Sequence, residues 1–246
     1  MKYTKNKQPF VQQQYSSSPN SSFFSKPVQE QLLTVLSVLK HEVKQYDVPV
    51  KKMIAFGKKK PFVVLIATIL SLRTRDEVTL KVIEKLFREH KITSPDKLLS
   101  LGKNRLEQII KPVNYYKTKA ANLLALCEIL NTKYGGNVPK SMQELISLPN
   151  VGRKTANIVL TRGFGRVDGI AVDTHCHRIP NRLGLINTKT PEETEKVLMK
   201  LLPQSAWAFY SEVMGPSGQG RCKPVAPKCS KCPIWQWCRY EKKGPY

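Results

Sequence analysis

Acidic residues are scarce in this chain: 18 Asp and Glu stand against 41 Lys and Arg in 246 residues, a formal charge of +23. So unbalanced a protein makes most sense beside a polyanion, and nucleic acid is a better first candidate than an anionic membrane surface. Long hydrophobic runs are missing too. The most apolar stretch, 61–72 (PFVVLIATILSL), is about half of the roughly 20 residues a span needs, so it reads as a buried helix and no membrane partner is expected. Residues 1–27 contain Lys2, Lys5, Lys7 and Lys26, no acid, and no apolar centre of a secretory signal; they are expected to form a mobile tail. An organelle-targeting peptide would also avoid acids, but it favours Arg over Lys. The cysteines lack the spacing of a secreted disulfide framework: of six, four crowd into 222–246, which points to an intracellular protein of cytoplasm, nucleoid or nucleus. At 41% apolar residues the chain is neither a miniprotein nor wholly disordered.

Strand-type alternation is nearly absent, and what is present has helical period. Leu32, Leu33, Leu36, Leu39 and Val43 share one face of a helix from about Val28 to Tyr46. Further helices are expected at about 61–73, 76–90, 104–111, 118–134, 141–148, 152–164, 173–184, 191–202 and 205–214, interrupted by Pro112, Gly135, Gly136, Pro139 and Pro149. Thr190, Pro191 and Glu193 supply a cap, a first-turn proline and a capping-box acid in the required order. The fold class is therefore all-α, with no internal repeat.

Cys222, Cys229, Cys232 and Cys238 supply four thiols, the number required by tetrahedral zinc or a four-iron four-sulfur cluster. Zinc sites commonly use two short-spaced pairs, and only Cys229 and Cys232 form one, which favours iron–sulfur. Cys127 and Cys176 sit in apolar company and read as core residues. In the run 144–156 a helix ends at Leu148-Pro149, a tight turn follows at Asn150-Val151-Gly152, and a second helix opens with Arg153 and Lys154. This reads as a helix–hairpin–helix whose free amides face a phosphate, Gly152 letting the backbone approach and Asn150 tolerating the turn. Lys154 falls in the first turn of the second helix, where the macrodipole disfavours an ammonium. Asp173, in Ile170–His175, serves as an N-cap, as a partner for Lys154, or as both. His175 and His177 lack the spacing of a helical metal pair and read as structural or phosphate-adjacent.

LPNVGRKTANIVL, AVDTH and the four-cysteine tail, in that order, resemble the endonuclease III family of helix–hairpin–helix DNA glycosylases over about residues 28–240. The resemblance implies two helical domains with a DNA-binding cleft between them. One is a six-helix barrel (55–166) carrying the hairpin; the other is an iron–sulfur cluster domain (28–54 with 167–246). It implies Lys154 as nucleophile, Asp173 as second catalytic group, a 4Fe-4S cluster on the four cysteines, and phosphate contacts from the hairpin residues Asn150, Gly152 and Arg153 and from Arg221, Lys223 and Lys228. Asn150 stands in place of the family's usual hairpin glycine. Arg73 stands where relatives commonly place the glutamine that fills the gap left by an extruded base, and Asn114 and Tyr115 match a second wedge. The expected activity is a DNA N-glycosylase with abasic-site lyase activity, acting as a monomer on double-stranded DNA that carries oxidised pyrimidines or abasic sites. Mismatch-directed excision, a non-catalytic DNA-binding module, and zinc in place of iron are the alternatives.

Overall fold

The computed structural model describes residues 21–46, 59–241 and 243, and every regular element among them is helical. The chain opens with α1 (Ser21–Phe24) and α2 (Val28–Glu42), which tightens into a 3-10 turn at Val43–Gln45. The apolar stripe of α2 is buried through Leu32, Val35, Leu36 and Leu39, as its period requires. The expected mobile tail is corrected over 21–27. Phe23 is only 3% exposed and its ring stacks on Trp237 at 4.6 Å, so aromatic burial orders a segment whose serines suggested none. Residues 1–20 lie outside the described residues.

Next comes α3 (Pro61–Ser71), with proline at its first position and every residue from Phe62 to Leu70 buried. A helix with no polar face has to be surrounded. The helices that gather with it are α4 (Asp76–Glu84, continuing as a π-turn over Lys85–Glu89), α5 (Pro95–Leu99), α6 (Gly102–Ile110), α7 (Tyr116–Tyr134), α8 (Met142–Ile146) and α9 (Arg153–Ile158, continuing as a π-helix over Val159–Phe164). Their hydrophobic cluster draws only on residues between Phe62 and Leu160. A second cluster draws on both flanks: Phe23 and α2 join α10 (Thr174–Leu183), α11 (Pro191–Leu201), α12 (Gln204–Gly220) and the 3-10 turn Trp235–Trp237.

Two elements depart from the sequence reading. No helix was expected between 90 and 104, yet α5 forms there, with Ser94 accepting the Lys97 amide and Pro95 at its start. Helix α12 passes its expected end at 214 and continues through Gly215-Pro216-Ser217-Gly218, all buried. Packing overrides the breakers here: a Cβ at Gly218 would lie 2.3 Å from Nδ1 of His175, so the glycine lets α10 and α12 close against each other. The start of α11 is as expected, Thr190 accepting the Glu193 amide at 3.1 Å.

Candidate active site and nucleic-acid interface

The hairpin opens at α8, where Ser141 caps the Glu144 amide and donates to the Glu144 carboxylate at 2.6 Å. The turn that follows is pinned to the core by Leu148 and Val151, both nearly fully buried. Asn150 takes the left-handed conformation, φ 61°, which Asn adopts at less cost than most side chains. Gly152 has an ordinary φ of −98°, and a Cβ placed on it would meet nothing within 4 Å. Nothing inside the fold therefore requires glycine there. What its bare backbone provides is access to the start of α9, where no side chain caps the first amides.

Lys154 is the second residue of α9, and Asp173 ends the extended segment leading into α10. Both line one cleft of about 2030 Å³, open solvent included, whose other walls carry Arg73, Thr74, Asp76 and His175. Asp173 caps α10 through Oδ1, which accepts the amides of His175 at 2.9 Å and Cys176 at 2.8 Å. Burial pushes its carboxyl up, but the Lys154 charge and the α10 amides outweigh burial and hold it below the ordinary carboxylate range. Capping and the electrostatic influence of Lys154 therefore act on one carboxylate. His175 is a structural neighbour: burial lowers its pKa, and its Nδ1 lies 2.9 Å from the Arg178 guanidinium. His177 is likewise structural, bonding Thr194 at 2.7 Å.

Arg153 departs from its expected phosphate contact. Its guanidinium grips the buried Glu195 in a fork, at 2.8 and 2.9 Å, and Asn157 joins the same carboxylate at 2.8 Å while donating to the Ile170 carbonyl at 3.1 Å. The network ties the first turns of α9 to α11 and to the segment that ends at Asp173. Glu195 and Asn157 carried no local sequence signal, since their partners lie 38 and 13 residues away.

Two loops bound the cleft's outer side. Arg73 (φ 54°) and Tyr115 (φ 59°, 63% exposed) are both left-handed, and the guanidinium lies 6.0 Å from the ring centroid. Asn114, expected with Tyr115 in a second wedge, ties the two loops together: its side-chain amide donates to the Arg73 carbonyl at 2.6 Å and its backbone amide to Thr74 at 3.2 Å. Below them Lys119, 4% exposed, donates to the carbonyls of Leu70 at 2.9 Å and Leu72 at 2.6 Å and to Thr74 at 3.2 Å. Burial pushes its ammonium down to about 8. One hidden lysine thus braces both loops, and among the many lysines of this sequence nothing marked it.

The four tail cysteines line a separate cavity walled by Leu39, Ile179, Leu183 and Ile234. The segment is held largely by arginines that donate to its carbonyls: Arg178 to Cys222 at 2.6 Å, and Arg182 to Lys223 at 2.7 Å and Pro224 at 2.8 Å. Arg221 departs from its expected phosphate role, since it pairs with Glu42 and donates to the Tyr46 hydroxyl, fastening the segment to α2. Lys223 and Lys228 remain exposed. Cys127 and Cys176 are fully buried, as core residues should be.

Residues 66–204 match the model of the HhH-GPD superfamily base excision DNA repair protein. Endonuclease III of Thermotoga maritima is 47% identical over 185 residues, covering 75% of this chain and 85% of that one. The solved structure of a trapped endonuclease III–DNA covalent intermediate is 35% identical with a TM-score of 0.76, covering 86% of this chain and 96% of that one. A non-covalent endonuclease III–DNA complex, also 35% identical, gives 0.77 over 86% and 95%. Sequence and backbone thus agree along most of the chain, and it belongs to the endonuclease III family within the HhH-GPD superfamily of base excision DNA repair proteins.

Proposed function

We propose that Lys154 is the nucleophile and Asp173 the charge-stabilising carboxylate with which this base excision glycosylase/lyase removes a damaged base, an oxidised pyrimidine foremost, from double-stranded DNA and then nicks the strand. The observation that carries the reading is that Lys154 and Asp173 line one open cleft, the Lys154 charge helping, with the α10 amides, to hold the carboxyl below its ordinary range against burial. A base stacked in a duplex is out of reach, so the nucleotide is rotated into the cleft. Loss of the base leaves an electron-poor sugar, which the Asp173 carboxylate stabilises, while the Lys154 nitrogen, its proton released towards the departing base, forms a bond to C1′. Ring opening gives a Schiff base. Removal of a 2′ proton then expels the 3′ phosphate by β-elimination, and hydrolysis of the imine frees Lys154.

The duplex is gripped from several sides. The bare start of α9 at Gly152 faces the backbone phosphates, Lys223 and Lys228 add charge, and Arg73 with Tyr115 enters the gap left by the extruded nucleotide. The two hydrophobic clusters support a division into a hairpin domain (55–166) and a cysteine-bearing domain (28–54 with 167–246), although residues 47–58 lie outside those described.

The cysteine cavity fits a four-iron four-sulfur cluster in donor type and number. All four cysteines line that one cavity, and four thiolate donors are the number such a cluster takes, although among the described residues no three His, Cys, Asp or Glu side chains are grouped as a metal site. Burial pushes the Cys232 thiol up to about 12, so a bound cation is needed to keep it as thiolate. When bound, the cluster supplies four metal–sulfur bonds that knit 222–238 into one unit and so fix where Lys223 and Lys228 stand.

Sodium borohydride reduces a Schiff base to a stable adduct, so the protein should be trapped on a duplex holding an oxidised pyrimidine. Lys154→Ala is expected to lose at least 99% of the trapped species. Undiminished trapping in that variant would remove Lys154 from its assigned role.

A further inference from the structure

Arg162 is a half-buried cation whose guanidinium has no partner among the described residues. It lies in the π-helical continuation of α9 and lines the cleft together with Lys154 and Ile158. The three residues recur every four positions, so they descend one face of a continuous helix, with Arg162 about 12 Å further along the axis than Lys154. Helical side chains lean towards the helix N-terminus, which turns the guanidinium back towards Ile158 and Lys154. Its surroundings are small and mostly neutral: Thr68, Ala171 and Ser211 line the same cleft.

No hydrogen bond or ion pair from the guanidinium exists among the described residues; only the Arg162 carbonyl is used, by the Lys59 amide at 2.9 Å. None of its nitrogens is among the enclosed polar atoms that lack a partner, so the donors open onto the cleft. Burial pushes the guanidinium below its usual range, and the charge of Glu212 offsets this only in part, with no ion pair between them. A fork of donors that opens onto the cleft without a protein acceptor is free to bond a ligand that enters it.

We infer that Arg162 is a base-reading residue whose guanidinium donates hydrogen bonds to the carbonyl edge of the extruded pyrimidine. The alternative acceptor is a backbone phosphate. Position argues against it, because the phosphate-facing start of α9 lies two turns nearer the rim, whereas Arg162 also borders the inner recess formed by Asn157, Gly169, Ala171 and Trp207. If Lys154 reaches the sugar carbon, the base extends from that carbon further along the same helix face, towards Arg162. The guanidinium only donates, so bases that turn ring carbonyl oxygens towards it are favoured over those presenting only donors.

The inference rests on the glycosylase/lyase reading, and the test separates the two. The full-length protein is assayed on one duplex carrying dihydrouracil and on the same duplex carrying a preformed abasic site, where no base is left to read. In Arg162→Leu the ratio of kcat/KM for base release to that for abasic strand cleavage is expected to fall at least tenfold. Arg162→Lys, which keeps the charge and loses the fork, should lower the ratio at least threefold, and it decides the matter if the leucine variant does not fold. An unaltered ratio in Arg162→Lys would overturn the inference. So would an equal fall on both substrates with a shallower salt dependence, the signature of a phosphate contact. A wild-type protein inert on both duplexes would instead overturn the glycosylase/lyase reading itself.

Discussion

The hairpin over 141–158 and the cysteine segment over 222–238 are both proposed to touch DNA, but they are built differently. The hairpin is ordered by its own backbone: a capped helix, one left-handed Asn, two buried apolar anchors and a helix start fixed by the buried Arg153–Glu195 fork. The cysteine segment has only the short turns Cys229–Lys231 and Trp235–Trp237, and its carbonyls are held by Arg178 and Arg182 reaching in from α10. The difference teaches where each part's stability comes from. The residues proposed for the chemistry are preorganised by packing, whereas those proposed to add charge from the periphery depend on borrowed arginines and on the metal their thiols would take.

The largest expected effect lies in the preorganised half. Asp173→Asn keeps an oxygen that can cap α10 and removes the charge beside Lys154. Base release should fall about 10²–10³-fold, roughly 2.7–4 kcal/mol of barrier, with the melting temperature little changed. Wild-type pH dependence sharpens the point. The Asp173 carboxyl is depressed in the folded state, so the stability it lends is complete above the ordinary value of about 3.9 and fades only as pH falls through its lower native value. The acid limb of base release should therefore lie below about pH 4, provided the protein remains folded.

The cysteine half should respond to loss of the proposed cluster. Cys232→Ser is expected to cost at least about 2.7 kcal/mol, the linkage value for a ligand at one hundred times its Kd. Loss of amide-exchange protection should be confined to 222–238 and the α2 residues fastened to it through Glu42. Equal loss over 148–158 would erase the contrast between the two regions.

The smallest effect concerns the outer loops. Lys119→Met fills the same space but leaves the carbonyls of Leu70 and Leu72 without their donor, a cost of about 1–3 kcal/mol. Affinity for a duplex with a gap should weaken as Arg73 and Tyr115 lose their mutual placement, while trapping at a preformed abasic site persists. Fluorescence anisotropy on gapped and intact duplexes would read the difference.

Much of this was legible in the residues. The order of LPNVGRKTA, AVDTH and four cysteines pointed to the hairpin, to Lys154 and to Asp173, because turns and caps are written in adjacent positions. The charges misled. In a chain of +23 every arginine invites assignment to a phosphate, yet Arg153 and Arg221 are bound to Glu195 and Glu42, partners 42 and 179 residues distant that only the fold brings near. Lys119, Glu195 and Arg162 went unmarked for the same reason. The breakers in 215–218 misled differently, since close helix packing favours the small residues that local propensity counts against a helix.

The most direct test is to map the bond itself. After borohydride reduction on an oxidised-pyrimidine duplex and proteolysis, mass spectrometry should find the deoxyribose remnant on the peptide bearing Lys154 and on no other amine. A remnant on a different lysine or on the chain's N-terminus would contradict the account.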